Sequence, residues 1–276
     1  MASPNVYNSG IGGSAGPTLA TSAPILCSGD IWYVGSAATG AADAAAPRGK
    51  ERIRPLATLG QAITNSAAND VIVLLVSHAE TLTATQTIGK AGLTIIGESS
   101  GTTRPTFTRN IAANGQLFDI TAAGVTLQNL FFKTATTANT GAMVRTNSAY
   151  TQLIDSYFEC GTLDDGPQFE TITGASQVRI KGTTFISTAT APSDQPDSAI
   201  KVTNAITDLE LDTVTINGAS SGWANPYALN IAGAVTRLRA TQLSLLNDSD
   251  VTIVTGSVGY VQLGTTSGSA RVVWAS

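Results

Sequence analysis

The sequence predicts an all-β fold, a right-handed parallel β-helix (a solenoid) with an N-terminal capping helix and an extended N-terminal arm. Three observations predict it. A short strand pattern returns every 25 to 32 residues, small-residue turns follow each recurrence, and the chain is poor in charge. Strands with period two bury one face, and one coil of about 25 residues cannot bury that face alone, so coils stack into a continuous core.

The recurrence is clearest at Val125-Thr126-Leu127, where two apolar residues flank a polar one and Phe132 closes the unit five positions after Leu127. It returns at Leu153 with Phe158, at Val178-Arg179-Ile180 with Phe185, at Leu209-Glu210-Leu211 with Ile216, and at Leu238 with Leu243. Leu93-Thr94-Ile95 begins the series and Val261-Gln262-Leu263 ends it. The anchors are therefore Ile95, Leu127, Leu153, Ile180, Leu211, Leu238 and Leu263, one for each of seven coils. A leading strand precedes each anchor after the first: Phe118–Ile120, Met143-Val144, Glu170–Ile172, Ile200–Val202, Leu229–Ile231 and Thr252–Val254. Longer gaps between anchors predict loop insertions near Ser99–Arg109 and Thr188–Asp197, and Gly218–Pro226 reads as a further loop carrying Trp223.

Two units precede or contain these coils. Residues 1–29 carry no charged side chain and form an arm rich in Gly, Ser, Ala and Pro, which reads as an assembly contact held by another subunit or molecule. Residues 30–276 form a single β-helix domain, with the strand and helix cap and the first coil in 30–90 and the repeated coils in 91–276. Within the cap, Ile31–Val34 is a strand and Ala37–Ala46 a loop. Arg48, Lys50, Arg52 and Arg54 form a basic stretch, solvated or facing an acidic partner. Pro55 opens a helix with Leu56, Leu59, Ala62 and Ile63 on one face. That helix suits the open end of the solenoid, where apolar side chains and strand edges would otherwise be bare. Val71–Val76 is a strand apolar on both faces.

Charge and composition narrow the function. The chain has 276 residues, 42% of them hydrophobic, only 12% charged, and a net charge of −4. An acidic balance argues against nucleic acid as the main partner. The longest apolar run, Val71–Val76, is far below the roughly 20 residues needed to span a bilayer, so no membrane partner is expected. No signal peptide is evident at the N-terminus. Cys27 and Cys160 are the only cysteines and lie far apart, which favours buried thiols over a disulfide framework.

No catalytic, cofactor-binding or metal-binding residue emerges from the chemistry-bearing positions, and the chain is expected not to be an enzyme. His78 is the single histidine, so a multi-histidine site is excluded within one chain and a structural role is expected. Gly12-Gly13-Ser14-Ala15-Gly16 has the spacing of a nucleophile elbow but lacks its strand and helix. Arg179-Ile180-Lys181 resembles the R-I-K motif of polygalacturonases. However, Asp164-Asp165 lies close upstream and no Gly-His-Gly exists. The repeat itself explains the tripeptide, with Ile180 inward and the charges outward. Asp155, Glu159, Asp164, Asp165, Asp194 and Asp197 offer no evident pair across a cleft; successive coils bring Asp155 near Gly182 and Thr213 instead, and Asp208 and Asp212 flank the strand of one repeat.

The segment Asp30–Thr108 resembles a recurring element of tailed-bacteriophage virion proteins with a right-handed parallel β-helix. The matching pieces are Ile31-Trp32-Tyr33-Val34, Pro55–Leu59, Asp70–Val73, His78–Leu82, Ala91–Gly97 and Arg104-Pro105-Thr106. The resemblance covers the first third of the chain closely and the rest by architecture. It implies a structural virion protein, here expected to be a capsid decoration or cement protein on the capsid surface, without cofactors. Its expected partners are the major capsid protein and further copies of itself, as a homotrimer. The alternative is a tailspike or fibre domain that binds or cleaves host surface polysaccharide, with Trp223 and Tyr227 stacking on sugar rings.

Overall fold

A computed structural model describes residues 29–36, 40–43, 48–76, 78–99, 103–135, 139–161, 165–189, 195–218, 223–224, 227–247, 250–253, 257, 259–266 and 272–274. The described chain is a parallel β-solenoid of about six turns. Every strand pairs in parallel with its counterparts on neighbouring turns, and the strands stack into three ladders. The first ladder holds Val71–Leu74, Thr94–Gly97, Thr126–Gln128, Gln152–Ile154, Val178–Lys181 and Ile206–Asp212. The second holds Ala79–Leu82, Thr106–Arg109, Phe131–Thr134, Tyr157–Cys160, Thr184–Ser187 and Thr215–Asn217. Both run into one continuous strand, Val235–Leu246, which pairs with Ile206–Asp212 and with Thr215–Asn217. The third ladder is a separate sheet of eight strands, from Gln86–Ile88 to Val272–Trp274.

Alternation decides which side chains form the core. On the first ladder Ile72, Ile95, Leu127, Leu153, Ile180, Leu211 and Ala240 lie in register, and all are 0–1% exposed. On the second, Phe107, Phe132, Phe158 and Phe185 stack at centroid spacings of 6.3, 4.6 and 4.8 Å. These spacings follow the rise between coils, so identical rings on successive turns meet face to face. Ile216 and Leu245 continue that row.

Two rows of left-handed backbone turn the chain at the corners of the first ladder. Asn129, Asp155, Gly182, Thr213 and Gln242 follow its strands at φ between 47° and 59°. The expected approach of Asp155 to Gly182 and Thr213 is this row. Gly182 adopts its φ of +59° without strain, and a Cβ there would displace the Asp155 side chain, whose Oδ1 lies in its place. Asn69, Gly92, Gly124, Tyr150 and Gln177 precede the strands at φ between 52° and 76°.

The sequence placed most elements and missed several boundaries. The anchors Ile95 to Leu211 share one rung, but Leu238 pairs with Leu209 and Leu263 with Leu243, so Ala240 and Val261 continue the rung. Along an unbroken alternating strand, a shift of two residues keeps the same face inward, and the pattern cannot reveal it. The helix spans Leu59–Asn65 and does not start at Pro55. Thr58 caps it by accepting from the Gln61 N–H, and Leu56 forms a bridge with Val34 instead. Leu59, Ala62 and Ile63 are buried in the core, and the helix packs against the strand Ile31–Val34. The first insertion ends before Thr106, because Thr106–Arg109 is a strand of the second ladder. The arm lies outside the described residues, apart from Gly29, as do Gly12–Gly16, Cys27 and Asp194. Cys160 is buried, its Sγ 3.4 Å from Met143 Sδ.

Candidate functional site

Few residues of this chain are charged, and the structure gathers many of those described onto the outward rungs. On the third ladder Asp119, Arg145, Glu170 and Lys201 lie in register with alternating sign. Arg145 donates two 3.0 Å hydrogen bonds to the Asp119 carboxylate, which raise its pKa above the ordinary arginine value. On the first ladder Arg179, Glu210 and Arg239 form one such row and Lys181 and Asp212 another. Opposite charges meet across these rungs, which favours the pairing of successive coils.

These outward rungs of the first ladder form the floor of a groove of about 400 Å3, and its walls include Tyr150, Gln152, Gln177, Arg179, Asp208, Glu210, Arg237 and Arg239. The local register explains the constellation. Gln152, Arg179, Glu210 and Arg239 are one outward row. Asp208 and Arg237 stand beside it, two residues earlier. Tyr150 and Gln177 come from the corner row that precedes the strands, where the two coils before them carry Gly92 and Gly124. A left-handed backbone costs a side chain about 1–2 kcal/mol that glycine does not incur. Tyr150 adopts it and remains 54% exposed, so neither backbone preference nor core packing accounts for a tyrosine there.

Arg237 Nη2 lies 2.6 Å from Asp208 Oδ2. Arg179 Nε lies 3.4 Å from Glu210 Oε2 but makes no hydrogen bond there, so that donor stays undirected. Arg239 is exposed and forms no ion pair. The groove therefore holds three guanidinium groups against two carboxylates, with two side-chain amides between them. Arginine stays charged at any physiological pH, so its part is to hold charge and donate hydrogen bonds. Below the groove, burial pushes the Asp212 carboxyl up, but hydrogen bonds from Thr241 and Thr213 and the Lys181 charge together hold it below its ordinary value.

The residues singled out from the sequence lie elsewhere or act structurally. His78 is buried against Phe107; its Nδ1 accepts from the Ser36 N–H at 3.0 Å, leaving the proton on Nε2, 3.3 Å from Glu80 Oε2. Glu80 in turn accepts from the Leu59 N–H at the start of the helix, so the pair ties the cap to the second ladder. Trp223 is buried in the core at 6% exposure, which agrees with plain packing and removes it from the sugar-stacking alternative. Tyr227 is half-buried at the start of a third-ladder strand. Ile180 points inward and Arg179 and Lys181 outward, as the repeat predicts. In the basic stretch, Arg48 donates to the Gly40 carbonyl, Lys50 pairs with Asp30 over the Trp32 ring, and Arg52 pairs with Glu98. Among the described residues no group of three or more His, Cys, Asp or Glu side chains comes together.

No family model matches this chain. No curated protein matches it either. Solved structures similar to it include two polysaccharide lyases. A rhamnogalacturonan lyase is 10% identical over 81% of this chain and 75% of its own, with a TM-score of 0.41. The pectate lyase Pel9A is 12% identical over 88% of this chain and 78% of its own, with a TM-score of 0.42. By their names both are polysaccharide lyases, which corrects the expectation that the chain is not an enzyme, and that reading is withdrawn. At these identities the likeness is one of fold and assigns no activity: the chain is a parallel β-helix protein, as its neighbours are.

Proposed function

We propose that this chain is a structural protein of a tailed-phage virion, a decoration or cement protein on the capsid surface. In this reading it binds the major capsid protein, associates with further copies of itself as a trimer, and stabilises the head. The observation that carries the reading is the cap over the first turn. The strand Ile31–Val34 pairs with Val71–Leu74, the helix Leu59–Asn65 packs against it, and the coils begin directly afterwards. These elements hold the residues through which Asp30–Thr108 resembles phage virion proteins. The low charge agrees with a protein that works in contact with other subunits, and several copies on one shell would bind with avidity.

Purified particles test the reading. The expected result is this chain in fixed ratio to the major capsid protein, with heads that release their genome at lower temperature when it is deleted. Absence from the capsid surface, or equally stable heads without it, would overturn the proposal. A second reading, a tailspike or fibre domain acting on host polysaccharide, is favoured by the groove beside Tyr150. Labelling found on the tail in the same particles would select it.

A further inference from the structure

We propose that the groove on the first ladder binds an acidic oligosaccharide, with Tyr150 stacked against a sugar ring and Arg239 paired with a carboxylate of the ligand. The inference rests on the groove alone and holds for either placement in a particle. Four observations converge on it.

First, Tyr150 occupies a corner where the two preceding coils use glycine, at φ 61°, and stays 54% exposed. The corner needs the left-handed turn but not a tyrosine, so an exposed ring placed there at the cost of backbone strain points to a side chain kept for contact with something else. An exposed phenol offers a flat apolar face to a sugar ring and a hydroxyl to its substituents.

Second, the groove floor mixes donors and acceptors. Gln152 and Gln177 supply amides, Arg179 an undirected Nε–H, and Asp208 and Glu210 carboxylate oxygens. Sugar hydroxyls donate and accept at once, so they match such a surface.

Third, the charges do not cancel. Asp208 and Glu210 face Arg237 and Arg179, and Arg239 is left exposed without an ion pair. One uncompensated guanidinium beside neutral donors fits a carboxylate carried on a mostly uncharged chain.

Fourth, the volume, about 400 Å3, lies in the range of small-ligand sites, and the floor of the groove is held by paired parallel strands.

The test is calorimetric titration of the full chain with a hyaluronan oligosaccharide and an alginate oligosaccharide, with a neutral N-acetylglucosamine oligomer as comparison. An acidic probe should bind at least about tenfold tighter than the neutral one, and Arg239→Glu should remove at least about tenfold of that affinity. Tyr150→Gly relieves the backbone, so it should melt no lower than the parent chain yet bind more weakly, separating recognition from folding. Failure of both acidic probes to bind at millimolar concentration would overturn the proposal. So would equal binding of the neutral oligomer, or unchanged affinity in Arg239→Glu and Tyr150→Gly.

Discussion

The outward face of the first ladder differs between its two ends, although backbone, register and inward rung are continuous. At the N-terminal end it carries Ile31, Tyr33, Val71, Val73 and Ile96, and the last three are only 3–5% exposed. Four to six coils after Val71 and Val73 the same two rows carry Arg179, Lys181, Glu210, Asp212 and Arg239, and Lys181 is 49% exposed. A parallel ladder fixes only the inward side chains. The outward rows are free to become a second packed layer or a charged, open surface, and this chain does one at each end. The solenoid thus supports a covered cap and an accessible groove on a single sheet, and its function divides along that line.

Substituting across the divide should give the largest difference. Val73→Asp places an unpaired carboxylate in the covered layer and should cost roughly 3 kcal/mol or more in chemical denaturation. Lys181→Ala, on the same row in the open region, removes a half-exposed ion pair and should cost less than about 1 kcal/mol. Comparable losses would dissolve the distinction.

The corner rows allow a sharper test. Gly182→Ala forces a Cβ into a left-handed turn beside Asp155 and should destabilise by about 1–3 kcal/mol. Thr213→Gly, one coil on in the same row, relieves the strain at φ 56° while giving up the Thr213 hydrogen bond to Asp212, so it should cost less than about 1 kcal/mol. A smaller effect reports register. Arg179→Glu sets like charges beside each other at Glu210 and should cost up to about 1 kcal/mol, and adding Glu210→Arg should return most of it. If the double variant is no more stable than the single one, the charge rows do not help to pair the coils.

The pH dependence should carry opposite signs at the two ends. Burial raises the Glu98 carboxyl above its ordinary 4.5, against the pull of Arg52. Its contribution to stability is therefore complete below that value and is lost as the pH rises through the raised one. Asp212 is held below its ordinary 3.8, so its contribution is present above that value and is lost as the pH falls through the lowered one. Melting curves of Glu98→Gln should lose the first dependence only, and those of Asp212→Asn the second only. The same pH slope in both variants would contradict this assignment.

The fold was legible because its signal repeats. Five successive anchors from Ile95 to Leu211 share one rung, and the closing Phe132, Phe158 and Phe185 form the interior stack. The last two anchors slipped by two residues because Leu238 and Ala240 both point inward on Val235–Leu246, and the pairing of that strand with Gly259–Thr266 shifts register between Ala240 and Leu243. The groove was missed for another reason. Its signal is a substitution within the repeat: three residues before the anchors, Gly92 and Gly124 give way to Tyr150 and Gln177. That change is visible only once the corner is known to require a left-handed backbone. Trp223 attracted attention as a loop aromatic, and neighbouring residues alone do not reveal that it folds back into the core.

The difference between the two ends can be measured directly by thiol labelling in a Cys27→Ser, Cys160→Ala background. Val73→Cys and Arg239→Cys would be exposed separately to a bulky maleimide under native conditions and in denaturant. The expected result is prompt native labelling of Arg239→Cys, and labelling of Val73→Cys only as the chain unfolds. Equal native labelling at both positions would contradict the covered cap and the open groove together.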